Sequence, residues 1–367
     1  MNSKNTLAHV LQRENNNIDL IRLLAACAVI YGHSFALIPN VAEVDFLYRS
    51  VGIYSAEWGV KTFFFLSGLF VVNSVQSGEG AVAFLIKRFS RIWPALFLVV
   101  SLSAFVIGPL CTTLPMKDYF ANSRVYDYVI NMSLFKSWGT QNLGYYDLPG
   151  VFAENIFKNN VNAPLWTFPV FIFAYLLILA LSLIGAFNKR VAIILFGVIL
   201  LDTFLPTKFL FFWLPVNSND FTAIPFCFAL GGLLAVYKEK IAITAAVPLG
   251  FFLLLLLFKG WVHERYLAYT CFFMFAIYVA SIPMVAKFKK LPGLSYGVFL
   301  WGWPIQQVVS KFTPNIGFYP YVLVCLVLSL LMGYVSWILI EKRAIEFGRF
   351  VASRLPGKVA NFGRQSS

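Results

Sequence analysis

Residues 18–38 read IDLIRLLAACAVIYGHSFALI, an apolar run that is long enough to cross a lipid bilayer as one helix. A membrane-spanning helix needs roughly 20 mostly apolar residues. The run follows a polar amino-terminal stretch and has no small-residue cleavage site before Pro39, which distinguishes it from a cleaved signal peptide. We therefore interpret it as the first membrane span of an integral membrane protein.

Among the polar side chains in this run, Arg22 and His33 are the most informative pair. Their spacing corresponds to three turns plus about 20°, and to about 16 Å along a helix axis, so both side chains project from one face. Charged groups inside a bilayer cost about 2.5–3.5 kcal/mol on insertion scales and are functional candidates. The alternatives are a snorkelling anchor for Arg22 and an interhelical hydrogen bond for His33. The shared face favours a common functional site.

The whole chain has the composition of a membrane protein, with 59% hydrophobic and 12% charged residues. Soluble proteins contain about 45–50% apolar and about 25% charged residues, so lipid is the solvent that matches this chain. Apolar runs lie near 18–38, 58–75, 90–110, 164–186, 190–206, 221–237, 241–258, 266–286, 293–312 and 320–340. They predict an all-α membrane protein, a bundle of about ten transmembrane helices without a soluble domain.

The net charge of +13 is explained by membrane topology rather than by nucleic-acid binding, because the basic residues lie between apolar runs and not in a separate domain. With both termini placed in the cytoplasm, 18 Lys and Arg residues fall on the cytoplasmic side and 10 on the opposite side. This asymmetry predicts cytoplasmic termini. We expect residues 1–345 to form the transmembrane domain and 346–367 to form a basic cytoplasmic tail.

The connection between the third and fourth runs, 111–163, is the longest in the chain and is rich in Tyr, Asn and Asp. Long structureless connections are uncommon unless they are functional. We expect this one to face outside and to contain one or two interfacial helices that partly cover the outer mouth.

The cysteines are distributed singly along the chain. The five of them form no CxxC motif and no Cys/His cluster. We therefore predict neither a metal site nor a disulfide framework.

A basic cluster marks the start of the third run, where residues 87–94 read KRFSRIWP. Arg88 and Arg91 share a helix face at this spacing, and Lys87 precedes them. Guanidinium forks so placed suit a phosphorylated ligand that arrives from the cytoplasm. The alternative is a positive-inside topology anchor. Glu341, at the inner end of the last run, is expected to balance Arg88 or Arg91.

Six stretches along nearly the whole chain resemble, in order, the signatures of the acyltransferase-3 family of integral membrane acyltransferases. They are an Arg-x10-His first span at 22–33, WGVKTFFFLSG at 58–68, the basic cluster at 87–94, LWT at 165–167, SYGVFLWGWP at 295–304 and IEK at 340–342. No single stretch is decisive, whereas six in one order are highly specific. The resemblance implies that an acyl group, most often acetyl, moves from a cytoplasmic acyl-CoA to a carbohydrate hydroxyl at a bacterial inner membrane.

The resemblance and the polar residues together assign a site. Lys87, Arg88, Arg91 and Arg22 would form a cationic inner mouth for acyl-CoA, with acetyl-CoA as donor substrate rather than as a permanently bound cofactor. We hypothesise that Arg22 and His33 are catalytic, with a neutral His33 as general base on the acceptor hydroxyl or as transient acyl carrier. The residues expected to contact the acceptor or line the cavity are Ser67, Trp166, Tyr296, Trp301, Gln306 and Glu341. The acceptor implied is a polysaccharide or a lipid-linked oligosaccharide.

One position departs from the family pattern. After the LWT stretch many members carry a glutamate, whereas this chain has Phe171. Phe171 therefore keeps open a catalytically altered relative that acts as a scaffold. A transporter or flippase of a sugar lipid is the other alternative, because it shares the fold class and needs a polar path but no acyl-CoA.

Overall fold

The computed structural model describes residues 6–39, 41–78, 80–133, 147–184, 187–205, 223–288 and 293–355, and this part of the chain is helical. Its helices of ten or more residues are α1 Ile18–Leu37, α2 Ser55–Gln76, α3 Ala81–Leu102, α4 Ser123–Met132, α5 Thr167–Leu183, α6 Lys189–Phe204, α7 Ile224–Val236, α8 Ala246–Leu257, α9 Glu264–Ser281, α10 Leu294–Phe312, α11 Phe318–Ser336 and α12 Lys342–Ser353. Shorter helical segments are Leu7–Val10, Arg13–Asn15, Phe46–Val51, Gly108–Cys111, Met116–Ala121, Ala163–Trp166 and Pro283–Ala286. In place of strands, the described residues contain two isolated bridges, Thr6 with Ala242 and Thr112 with Val151.

Among the described residues, five helical segments are long and apolar enough to cross a membrane. They are Ile18–Leu37, Ser55–Gln76, Ala81–Cys111, Ala163–Leu183 and Phe318–Ser353. Two further apolar helices, α7 and α8, have 13 and 12 residues. The predicted class, an all-α membrane protein, is confirmed, whereas the count of ten spans and the cytoplasmic placement of the termini stay predictions.

Two helices extend beyond the predicted boundaries. Helix α3 begins at Ala81 rather than near residue 90, so Lys87, Arg88 and Arg91 lie inside the helix and not ahead of it. A π-helical turn, Trp337–Glu341, joins α11 to α12, and α12 runs through the boundary predicted after residue 345. Residues 346–355 therefore continue the helical bundle, and 356–367 lie outside the described residues.

The described part of the long connection contains two short helices after Cys111, where one or two interfacial helices are predicted, and their position at a membrane interface stays a prediction. Met116–Ala121 and α4 follow one another, and the side chain of Asn122 caps α4 by accepting a hydrogen bond from the backbone N–H of Arg124. Residues 134–146 of the same connection lie outside the described residues. After them, Asn155 and Asn162 donate hydrogen bonds to the backbone carbonyls of Gln307 and Leu300, which ties the connection to α10.

Helix α1 begins at a side-chain cap that also fixes its position in the bundle. The Asn17 Oδ1 atom accepts a hydrogen bond of 3.2 Å from the backbone N–H of Leu20, satisfying a donor that the first helical turn leaves free. The Asn17 Nδ2 atom donates to the backbone carbonyl of Val285 at 3.2 Å. The amino-terminal end of α1, which carries Arg22, is therefore anchored to the segment that follows α9.

Small residues allow α2 to pack directly against its neighbours. A Cβ atom at Gly68 would overlap the carbonyl oxygen of Phe228 on α7, and one at Gly231 would overlap the carbonyl oxygen of Phe65. Reciprocal contacts of this kind bring two backbones together, as in small-residue interfaces of membrane helices. Helix α2 also packs on α1, which packs on α10, and α12 packs on α3. These contacts place α1, α2, α3 and α12 around one cavity, next to Gly293 at the amino-terminal end of α10.

Candidate active site

A cavity of about 660 Å³, here called the vestibule, lies between α1, α2, α3 and α12 and has a basic wall. Such a volume falls within the range of about 300–1,000 Å³ that is typical of small-molecule sites. Seven basic and two acidic residues line it, so the formal charges of the lining side chains sum to +5. The basic residues are Arg13, Arg22, Lys87, Arg88, Arg91, Lys342 and Arg349, and the acidic ones are Asp19 and Glu346. The vestibule is therefore suited to a polyanionic ligand.

A second cavity of about 110 Å³, here called the inner chamber, lies deeper between α2, α3, α5 and α10. Its wall is mostly aromatic and apolar. The lining residues that it does not share with the vestibule are Phe63, Leu66, Ser67, Ile92, Phe168, Phe171, Tyr175, Ser295, Tyr296 and Phe299. Arg22, Phe70, Arg88 and Arg91 line both cavities, so the basic vestibule and the aromatic chamber meet at three guanidinium groups.

Aromatic rings orient two of these guanidinium groups. The Cζ atom of Arg22 lies 4.7 Å from the centre of the Phe70 ring, and that of Arg88 lies 5.0 Å from the centre of the Tyr175 ring. Arg22 also forms an ion pair with Asp19, with a distance of 3.5 Å between Nη1 and Oδ1. Cation–π contacts stabilise a guanidinium without neutralising it. The junction therefore keeps its positive charge.

Hydroxyl groups interrupt the aromatic wall of the inner chamber. The Ser67 Oγ atom on α2 and the Tyr175 hydroxyl oxygen on α5 are 3.1 Å apart and share a hydrogen bond. The Tyr296 hydroxyl on α10 donates to the backbone carbonyl of Ile92 on α3 at 2.7 Å. These bonds join four helices around the chamber and leave Ser67 and Tyr175 at its surface. Ser67 and Tyr296 are thus where the sequence predicts them.

His33 lies away from both cavities. Its ring contacts Trp303 edge to face, with ring centroids 5.0 Å apart, and Trp303 donates from Nε1 to the backbone carbonyl of Asn160. Among the described residues, no group forms a hydrogen bond with either ring nitrogen of His33. Arg22 lines both cavities and His33 lines neither, so these two cavities do not bring the pair together, and a common cleft stays a prediction.

Phe299 on α10 lies between the inner chamber and the turn of the helix that contacts His33. Tyr296 and Phe299 line the chamber, and Trp303 follows Phe299 by about one helical turn. Phe299 also contacts Phe63 and Phe168, with ring centroids 5.6 and 6.4 Å away. Aromatic rings from three helices are thus neighbours in the chamber wall, one turn of α10 before Trp303, which contacts His33.

Four predicted cavity-lining residues, Trp166, Trp301, Gln306 and Glu341, line neither cavity. Gln306 is fully buried and joins α10 to α1, because its Nε2 atom donates to the Ile30 carbonyl at 2.8 Å and to Ser34 Oγ at 3.0 Å. Trp301 is also buried within α10, and Trp166 precedes α5 and packs against the core. These three side chains therefore hold helices together.

Glu341 occupies the π-helical turn between α11 and α12. Its side chain is 2% exposed and accepts a hydrogen bond of 2.8 Å from Ser336 Oγ. It interacts electrostatically with Arg91, one of the two partners that the sequence predicts for it. Its contribution to the site is therefore indirect, through the position and charge of Arg91.

The sequence reasoning missed three basic residues of the vestibule and one phenol of the chamber. Lys342 and Arg349 are seven residues apart on α12, a spacing that places them on one face, and Arg13 precedes α1. Tyr175 lies four residues after Phe171 and is a polar aromatic in a very apolar helix. The shared face of Lys342 and Arg349 is visible in the sequence only when α12 is treated as a helix of its own.

The fold is that of a helical membrane protein, and its two cavities join a basic surface to an aromatic one. Residues 15–341 match the acyltransferase-3 family, described as an acyltransferase domain, and the chain belongs to this family. The predicted resemblance is thereby confirmed.

Two relatives are similar to this chain, one over most of its length and the other over about a quarter of it. The chain is 26% identical to the O-acetyl transferase of Shigella phage Sf6 over 339 residues, which is 90% of this chain and 96% of the phage protein. It is 37% identical to Nodulation protein 10 of Rhizobium leguminosarum bv. viciae over 101 residues, which is 27% of each chain. No solved structure matches the chain.

Proposed function

We propose that this protein transfers a short acyl group, most often acetyl, from cytoplasmic acyl-CoA to a hydroxyl group of a cell-surface or lipid-linked carbohydrate. The family and the name of the phage relative support O-acyl transfer. The observation that carries the choice of donor is the junction of a basic vestibule and an aromatic chamber at Arg22, Arg88 and Arg91. We place the reaction in a bacterial inner membrane.

The two cavities match the two ends of an acyl-CoA molecule. The nucleotide end of coenzyme A carries several phosphate charges, which suit the seven basic side chains of the vestibule. The acyl end is small and uncharged, which suits the aromatic chamber. A donor bound in this direction places its thioester close to the three guanidinium groups.

The transfer step forms an ester bond and breaks the thioester. The acceptor hydroxyl attacks the thioester carbonyl carbon, the carbon–oxygen bond forms, and the carbon–sulfur bond breaks to release coenzyme A. The hydroxyl proton passes to a base and then to the departing sulfur. We assign the base to His33, because a neutral imidazole accepts a proton and both ring nitrogens lack a protein partner among the described residues.

This assignment requires a movement between donor binding and transfer. Phe299 lines the chamber, and His33 contacts Trp303 on the next turn of α10, outside the chamber. The side chain of Phe299 must therefore turn aside before the carbonyl carbon meets an acceptor that is bound next to His33. Arg22 lies at the other end of this path and holds the donor rather than the acceptor.

The test is donor binding to the purified protein. Isothermal titration of acetyl-CoA should show a dissociation constant about 10- to 150-fold higher for Arg88→Ala, because hydrogen bonds to charged groups contribute about 1.5–3 kcal/mol each. Arg343→Ala is the matched control, since Arg343 is exposed on α12 and does not line the vestibule.

Mass spectrometry of surface carbohydrate from cells with and without the gene then tests the transfer itself. Loss of acyl groups in the deletion strain supports the proposal. Absence of acetyl-CoA binding by the wild-type protein would refute it and favour a sugar-lipid transporter. Donor binding with unchanged acyl content would favour the scaffold.

A further inference from the structure

Phe171 forms part of the aromatic wall of the inner chamber. The Phe171 ring stacks on Phe64, with ring centroids 3.9 Å apart and planes inclined by 7°. Phe64 is 1% exposed and lies in the core between α2 and α5, so it has no free space to move into. Phe171 is consequently held with one face against Phe64 while it lines the chamber.

We propose that the inner chamber is the acyl pocket and that Phe171 limits the length of the acyl group. This inference rests on the proposed acyl-CoA donor. The chamber offers no charged group beyond the three guanidinium groups at its mouth, and its deeper wall consists of aromatic rings with a few hydroxyl groups. Such a wall accepts an aliphatic chain and excludes a phosphate or an unshielded sugar.

The chamber volume sets a numerical limit. An apolar cavity of about 150 Å³ accommodates benzene, which has six heavy atoms, so by proportion a cavity of 110 Å³ accommodates about four. An acetyl group has three heavy atoms and a propionyl group has four. A hexanoyl group has seven and does not fit unless the wall recedes. The geometry therefore assigns selectivity for two- and three-carbon acyl groups.

Removal of the Phe171 ring should extend the chamber toward Phe64. The substitution Phe171→Ala deletes a six-carbon ring, and the space it vacates is next to the existing cavity rather than in the middle of the core. Since each methylene in a hydrophobic pocket changes discrimination about 10- to 200-fold, a chamber with room for a longer chain changes acyl preference by at least about tenfold.

The experiment measures kcat/KM for acetyl-CoA and hexanoyl-CoA with the full-length protein in detergent or nanodiscs and a carbohydrate acceptor. The hexanoyl-to-acetyl ratio should rise at least about tenfold in Phe171→Ala. Phe173→Ala is the matched control, because Phe173 lies two residues away on the same helix, is 48% exposed and does not line the chamber. Its ratio should equal that of the wild type.

A second variant and a binding measurement keep the test decisive if Phe171→Ala is poorly folded. Phe171→Leu removes less volume and should give a smaller rise in the ratio, and titration of both donors should show the same change in relative affinity. An unchanged ratio in a folded Phe171 variant overturns the inference, as does efficient hexanoyl transfer by the wild-type protein. If the wild-type protein uses neither donor, the proposed function itself fails, which is a separate outcome.

Discussion

Separate replacement of Arg22 and His33 should divide donor binding from chemistry. Arg22 lines both cavities and lies 3.5 Å from Asp19, whereas His33 lines neither cavity and contacts Trp303. The two residues are about 16 Å apart along α1. We therefore expect Arg22→Ala to weaken acetyl-CoA binding and His33→Ala to slow transfer without changing donor affinity.

The two variants should change different quantities: the dissociation constant of acetyl-CoA in Arg22→Ala and kcat in His33→Ala. Loss of a charged hydrogen-bond donor costs about 1.5–3 kcal/mol, so the dissociation constant of acetyl-CoA should rise about 10- to 150-fold in Arg22→Ala. A general base contributes about 10²- to 10⁴-fold, so kcat should fall by that factor in His33→Ala. Donor affinity of His33→Ala should stay within about twofold of the wild type, because distant sites contribute independently.

Titration calorimetry measures the first quantity and transfer of labelled acetyl to a carbohydrate acceptor measures the second. His263→Ala is the control for a histidine change, since His263 precedes α9 and lines neither cavity. Wild-type transfer by His33→Ala would eliminate its role as base or acyl carrier. Equal loss of donor affinity in the two variants would refute the separation of the two sites.

Two further substitutions test the packing and the extent of the vestibule. Gly68→Leu should abolish folding or lower Tm by several degrees relative to Gly250→Leu, because a side chain at Gly68 meets the α7 backbone whereas Gly250 has open space. Thermal denaturation in detergent measures this difference. Equal Tm values for the two variants would contradict the α2–α7 contact. Arg349→Ala should raise the dissociation constant of acetyl-CoA about 1.5- to 5-fold, since exposed charge interactions contribute about 0.2–1 kcal/mol. Titration against Arg343→Ala checks this, and identical affinities would place α12 outside the donor site.

The part of the site that the sequence predicts well depends on single helices. The spacing of Arg88 and Arg91 places both on one face of α3, and both line the vestibule and the chamber. Arg22 lies near the amino-terminal end of α1 and lines the same two cavities. These residues are recognised because a guanidinium in an apolar run is costly and has few alternative uses.

The sequence does not predict those features of the candidate site that depend on which helices are neighbours. Gln306 has the composition of a cavity-lining residue, yet it bonds to the Ile30 carbonyl because α10 packs on α1. The helical period shows on which face Gln306 lies but not which helix covers that face. The same applies to Phe299, whose contacts with Phe63 and Phe168 separate the chamber from His33.

The start of α12 is a second feature that the sequence does not predict correctly. A basic sequence after Lys342 has the composition of a solvated tail, but Gly348 packs against Ser90 on α3 and keeps α12 in the bundle. The π-helical turn Trp337–Glu341 also shifts the side-chain directions of α12 relative to α11. If α11 and α12 are treated as one regular helix, Lys342 and Arg349 are assigned to the wrong face. For this reason the sequence does not show that these two basic residues line the vestibule.

The electrostatics of the vestibule couple donor binding to the stability of the bundle. Arg88 and Arg91 both act on Arg22 as like charges, while Asp19 and the Phe70 ring offset only part of the resulting cost. Charges brought together in a medium of low dielectric repel one another strongly unless an opposite charge enters. A phosphorylated donor supplies that charge at the junction, so the interactions that hold it also relieve the repulsion among the three arginines. Under the proposed function, the same guanidinium groups that repel one another in the free protein select for polyanions, and the uncharged aromatic chamber behind them restricts what such an anion carries inward.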